Sequence, residues 1–124
     1  MTRPITIASV QLPAFPKGAS DAEMKESNFQ AAEHWLEQAG QLGADIACLG
    51  EMFNIHGLEM SHASYPAQVA GDFEAVLQRL GPVARRHKMY IIAPILEVVD
   101  GVRRNVAMLL DRSGSYLGGY FKVQ

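Results

Sequence analysis

Asp45-Ile46-Ala47-Cys48-Leu49-Gly50-Glu51-Met52-Phe53 is the stretch on which the fold turns. Ile46–Leu49 is short, uncharged and preceded by Asp45, which is the pattern of a strand buried in an α/β sheet. At Gly50-Glu51 the character changes abruptly. Residues 51–70 hold Asn54, His56, Gly57, His62 and Pro66 and read as a loop. A carboxylate just past the C-terminal end of a buried strand is where α/β folds carry functional groups.

Upstream, residues 5–12 are apolar, β-branched and uncharged, and predict a first strand closed by Pro13, Pro16 and Gly18. Ser20 and Glu23 have capping-box spacing, so a helix starts there. Phe29, Ala32, Leu36 and Ala39 recur at helical spacing with Trp35 beside them, and Gly40 and Gly43 supply stop signals. Downstream, Gly71-Asp72 opens a second stripe of Phe73, Val76, Leu77, Leu80, Ala84 and His87. Gly81-Pro82 interrupts it and predicts a kink or two pieces. Tyr90–Val99 is a strongly apolar strand, Asp100-Gly101 a hairpin turn, and Val102–Leu110 its antiparallel partner. Ser113-Gly114 is a second turn before a last strand over residues 116–123.

The predicted class is therefore α/β, in the order β-α-β-α-β-β-β, with a helix-covered first half and a closing meander. Residues 1–124 read as one unit without repeat, low-complexity segment or linker. The chain stops in or just after an apolar strand, with no capping helix or polar tail, which reads as a truncation.

At 124 residues and 48% apolar content the chain can bury a real core. Its net charge of −2 points to neither nucleic acid nor an anionic membrane. Arg85, Arg86 and Lys88, broken by His87, read as a solvated helix end suited to the dipole. The single cysteine, Cys48, rules out an internal disulfide and suits a reducing compartment. No signal-peptide pattern and no apolar run of ~20 residues is present. The expectation is a cytoplasmic protein.

Two side chains are candidates for chemistry. Partial desolvation of Glu51 would raise its pKa and suit it to general-base work; the alternative is an exposed loop Glu that pairs locally. Lys122 stands among Tyr120, Phe121 and Val123, so it must reach water or an anion. It is either an edge lysine that discourages strand pairing or a fixed cation for an oxyanion. The two can meet only if their strands are neighbours or face each other. Cys48 lies three residues before Glu51, but along a strand that places them on opposite faces ~10 Å apart. A base needs ~3 Å, so Cys48 reads as a buried packing thiol. His56, Glu59 and His62 match no specific zinc spacing, and no metal is expected.

Gly50-Glu51-Met52-Phe53 after an apolar strand resembles the first catalytic motif of the nitrilase superfamily of carbon–nitrogen hydrolases. The stretch from Arg104 and Asn105 through Asp111 to Gly114 resembles the hairpin before that family's second motif, and Gly118-Gly119-Tyr120-Phe121-Lys122-Val123 resembles the motif itself. The first strand ends in Gln11, as the family's commonly does. The resemblance spans essentially the whole chain. It implies the N-terminal half of an α-β-β-α sandwich and a Glu-Lys-Cys triad that hydrolyses a nonpeptide carbon–nitrogen bond. Glu51 matches the general base and Lys122 the cation that stabilises the tetrahedral intermediate. Phe53, Asn54 and His56, which follow the base, are expected to line the substrate pocket. No cofactor is implied; the substrate is a small amide or nitrile, and the full-length protein is expected to be a homo-oligomer.

The family's nucleophilic Cys and a supporting Glu follow the Lys strand and are absent from residues 1–124; Gln124 stands where members often have His. The chain is thus expected to be inactive alone. A noncatalytic short protein that uses the half-fold for self-association or binding is the alternative. An unrelated α/β ligand-binding domain, as a third possibility, predicts Glu51 and Lys122 more than ~10 Å apart.

Overall fold

In the computed structural model, which describes residues 2–13, 19–59 and 63–123, five strands form one mixed sheet in the order β1-β2-β3-β4-β5. β1 (Ile7–Val10), β2 (Ile46–Leu49) and β3 (Tyr90–Val99) are parallel. β4 (Val102–Leu110) and β5 (Tyr116–Phe121) continue antiparallel. Parallel neighbours need long crossovers. Helix α1 (Asp21–Gln41) supplies the first. A 3₁₀ turn (Phe53–Ile55), α2 (Tyr65–Val69) and α3 (Asp72–His87) supply the second.

The α1 stripe of Phe29, Ala32, Leu36 and Ala39 is buried, as is Val76, Leu80, Val83 and Ala84 of α3. Both stripes join one core with Ala47, Leu49, Ile91, Ala93, Ile95, Val106, Met108 and Leu110. These sheet residues alternate along their strands, so they all belong to one face. The residues between them form the other face. Cys48, Ile92, Pro94, Ala107 and Leu109 are only half-buried there. Ile7 and Tyr120, on the same face by register, are 71% and 69% exposed. The described residues cover that face only in part: Leu96, which register also places there, is buried, while Ile7 and Tyr120 are not. Cys48 is consequently half-buried rather than the buried packing thiol expected.

The α/β class and the strand order agree with the sequence, but several details differ. β1 and β5 are shorter than residues 5–12 and 116–123. Residues 51–70 are not loop throughout, because Pro66 sits in the first turn of α2, where its fixed φ suits a helix and its missing N–H costs nothing. Of the kink or two pieces expected at Gly81-Pro82, the two pieces are excluded, since α3 runs as one helix through Pro82. The residue before a proline resists helix because its Cβ meets the ring, and Gly81 has no Cβ. Gly40 is not a stop but lies inside α1, where a Cβ would stand 2.2 Å from the His87 ring. Gly43, at φ +83, is the stop. Pro16 and Gly18 lie outside the described residues.

The predicted turns and cap are present. The Ser20 hydroxyl oxygen accepts from the Glu23 N–H at 3.2 Å and its O–H donates to the Glu23 carboxylate at 2.9 Å. Asp100 and Gly101 both have positive φ, as a two-residue I′ hairpin requires. Arg86 pairs with Glu37 at 2.9 Å in the last turn of α3, which fits a solvated helix end.

β2 ends at Leu49, yet β3 runs on to Val99. On the edge of β3 beyond β2, the Leu96 main chain is satisfied by one side chain. Asn54 accepts from the Leu96 N–H at 2.9 Å and donates to the Leu96 carbonyl at 2.9 Å. The same amide nitrogen donates to Asp72 at 2.7 Å, and Lys25 pairs with Asp72 at 2.5 Å. Burial pushes the Asp72 carboxyl above its ordinary value despite the Lys25 and Asn54 donors. Asn28 of α1 donates to the His56 carbonyl at 2.9 Å, and Phe53 meets Phe29 edge-on at 5.3 Å. The segment after Glu51 is therefore anchored to α1, α3 and β3. Asn54→Ala would strand both Leu96 main-chain groups and cost about 3 kcal/mol. A urea midpoint unchanged from the wild type would contradict that role.

Candidate active site

Glu51 follows β2 at a point where the chain turns sharply. Met52 takes a left-handed φ of +51, uncommon for a residue with a side chain. The anchors on Phe53 and Asn54 hold that turn in place. Across the sheet, Leu96 pairs with Asn105, and the Lys122 N–H donates to the Asn105 carbonyl at 2.9 Å. Leu96, Asn105 and Lys122 thus form one row on the face away from the helices. Glu51 reaches this row. Its Oε1 accepts from Lys122 Nζ at 2.5 Å and from Asn105 Nδ2 at 2.7 Å.

β2 and β5 are neither neighbours nor facing, since β3 and β4 stand between them. The contact expected only of adjacent or facing strands is made because a loop, not a strand, carries Glu51. A separation above ~10 Å, the mark of an unrelated ligand-binding domain, is excluded by the same contact.

The electrostatics run against the sequence expectation for Glu51. Both side chains of the pair are 53% exposed, so desolvation is weak. The Lys122 ammonium first, then the Asn105 amide, hold the Glu51 carboxyl below its ordinary value instead of raising it. Oε2 accepts no hydrogen bond among the described residues, so Oε1 is fixed and Oε2 remains open to a proton.

The pair lies in an open cleft of about 940 Å³. Asn105, Leu96, Met52, Ile55, Tyr65, Phe121, Arg103 and Arg104 complete its lining. The pocket expectation for Phe53, Asn54 and His56 is corrected. Phe53 is 1% and Asn54 0% exposed, and both face the core, where their partners hold the loop. His56 is exposed and outside the cleft lining. The residues on either side, Met52 and Ile55, take that place. Asn105 was missed as a site residue. Its signals in the sequence were its place in the hairpin that resembles the family's and a lone amide on an otherwise apolar half-strand, but its aim depends on register.

Cys48 is no competitor for the nucleophile within this cleft. Its thiol is outside the lining, donates to the Leu49 carbonyl at 3.3 Å, and is pushed above its ordinary pKa by burial. No group of three or more His, Cys, Asp or Glu positioned to hold a metal occurs among the described residues. His62 of the suggested His56-Glu59-His62 set lies outside them. No helix among the described residues is long and apolar enough to cross a membrane.

A parallel-antiparallel sheet with helices on one face and a Glu–Lys pair at its open face define a class. The chain belongs to the carbon-nitrogen hydrolase family, whose profile matches residues 6–124. Among solved structures, the C. elegans NitFhit protein is similar at 22% identity, with a TM-score of 0.76 over 98% of this chain and 29% of that one. The amidase from Nesterenkonia sp. AN1, as a mutant in complex with butyramide, is similar at 24% identity and TM-score 0.72, over 97% and 43%. The carbon-nitrogen hydrolase from Helicobacter pylori G27 is similar at 20% identity and TM-score 0.69, over 97% and 40%. The chain thus spans less than half the length of these structures. A comparison with curated proteins found no match.

Glu51 has a folded-state pKa below the unfolded one, so the Glu51–Lys122 pair contributes stability that is full above the ordinary glutamate pKa. That contribution is lost as pH falls through the depressed folded value. Carboxyl carbon NMR titration should place Glu51 below a free glutamate. Lys122→Met should raise it most and Asn105→Ala less; titration of the wild type at the ordinary value would refute the geometry.

Proposed function

We propose that Glu51 and Lys122 are the base and the cation of a Glu-Lys-Cys triad that hydrolyses a nonpeptide carbon–nitrogen bond, with a small amide or nitrile as substrate. The observation that carries this reading is the 2.5 Å contact between Lys122 Nζ and Glu51 Oε1, made by residues far apart in sequence at the edge of one cleft. Family membership supports the reaction class. The Nesterenkonia amidase supports the chemistry, since one of its mutants carries the acetamide moiety of fluoroacetamide on the active site cysteine.

For an amide, Glu51 Oε2 takes the proton of the nucleophilic thiol, and the sulfur bonds to the amide carbon. The carbonyl π electrons move to oxygen, and Lys122 stabilises that oxyanion. Glu51 returns the proton to nitrogen, the carbon–nitrogen bond breaks, and ammonia or an amine leaves. Water, losing a proton to Glu51, then attacks the acyl carbon; the carbon–sulfur bond breaks, the acid leaves, and Glu51 returns the proton to the sulfur. The depressed Glu51 pKa keeps the base ionised at neutral pH. In this reading the nucleophile is not Cys48 but a cysteine outside residues 1–124, which form the N-terminal part of the hydrolase domain. The full-length protein is a homo-oligomer, as the family resemblance implies, in the reducing, cytoplasmic setting that a single cysteine suits.

The 124-residue chain should hydrolyse no simple amide or nitrile; turnover that Cys48→Ala abolishes would overturn the assignment. In the polypeptide encoded by the complete reading frame, Glu51→Gln and Lys122→Met should each lower kcat by about 10²–10⁴-fold. Retention of kcat in either would refute the role of that residue.

A second reading rests on the bare sheet face that carries Ile7 and Tyr120. There the half-fold serves self-association rather than catalysis, because exposed contiguous apolar surface marks an interface. Sedimentation equilibrium distinguishes it. Self-association at micromolar concentration that is lost in Tyr120→Glu supports this reading, and a monomer argues against it.

A further inference from the structure

The cleft carries three cations, Arg103, Arg104 and Lys122, against one carboxylate, Glu51. Lys122 is already engaged by Glu51. Arg103 and Arg104 are not, and neither makes an ion pair among the described residues. Arg3, Arg79 and Arg86 hold carboxylates, whereas Arg112, stacked on Tyr90, stands outside the cleft.

The two unpaired guanidiniums are held in another way. Arg103 lies 5.0 Å over the ring of Tyr65, and Arg104 lies 5.3 Å over the ring of Phe121. Both rings line the same cleft. A guanidinium stacked on an aromatic face keeps its N–H edge directed outward, in the planar fork that matches a carboxylate. Stacking also removes part of the side-chain entropy that binding an anion would otherwise cost. Register places Arg103 opposite Val98, on the sheet face of Asn105 and Lys122; Arg104, opposite Glu97 but in no ion pair with it, comes from the other face and meets the cleft at its rim beside Phe121.

We propose that Arg103, assisted by Arg104, forms an anion-binding arm of the cleft, so that the amide held at Glu51 and Lys122 carries a carboxylate at its far end. This inference rests on the amide-hydrolase reading of Glu51 and Lys122 and narrows its substrate class to short amides of dicarboxylic acids and similar acidic amides. Two arginines on a cleft wall select such a substrate by charge, and a neutral amide of the same length lacks that contact.

Succinamate and butyramide test this directly, because they differ by a carboxylate in place of a methyl. Each is titrated into the 124-residue chain and followed through the Arg103 and Arg104 Nε–H signals and the Asn105 side-chain amide. Succinamate should bind about tenfold more tightly than butyramide at low salt, with the preference shrinking at high ionic strength. The double variant Arg103→Met with Arg104→Met should remove the preference while butyramide binding persists. An unchanged backbone amide spectrum shows the variant to be folded, and the salt titration of the wild type serves as an independent measurement. Equal binding of the two ligands, or a preference that survives the double variant, overturns the anion arm and leaves the hydrolase reading intact. Failure of both ligands to perturb Asn105 overturns the amide site and the arm together.

Discussion

Past Leu49 the sheet loses a neighbour for β3, and the N–H and C=O of Leu96 point at an edge with no strand beside it. Buried main-chain groups must find partners, so this gap constrains everything around it. The Asn54 amide fills it with a donor and an acceptor in the geometry of a missing peptide. Asp72 and Lys25 then hold Asn54 from the helix side. The turn at Met52 sits between that anchor and the end of β2. Its left-handed backbone is tolerated because both ends are fixed.

Glu51 inherits its place from this arrangement. It stands outside the sheet ladder, on a loop drawn toward the row of Leu96, Asn105 and Lys122. The two donors converge on one oxygen, so the carboxylate is oriented as well as ionised. Exposure and pairing together explain why its pKa falls rather than rises. The core beneath is ordinary in chemistry, with apolar stripes from two helices against alternate residues of four strands, β1 to β4. Its consequence is to leave the opposite sheet face, and the cleft on it, open.

The strand order, the two long helices, the I′ hairpin and the Ser20 cap were all legible in the sequence. Each is set by a local pattern whose partner is close along the chain or repeats with a fixed period. Glu51 and Lys122 were visible as candidates because a charge beside apolar strands is conspicuous, and family resemblance linked them. The misread positions share another property. Gly40, Gly81 and Asn54 were taken for a stop, a kink or division, and a pocket wall, yet their roles depend on what another element places against them. His87 fills the space at Gly40, Gly114 approaches Gly81, and the Leu96 backbone meets Asn54.

By itself, then, the sequence determined the class of the fold, its elements and two charged residues worth watching. Periodicity and turn chemistry are local and survive without knowledge of contacts. Only the tertiary structure decided that Glu51 reaches Lys122 across two intervening strands. It also decided that Asn105 joins them and that Phe53 and Asn54 support the site rather than line it. Those outcomes depend on register and on where β2 stops short of β3, and a one-residue shift in either would turn the same side chains to other faces.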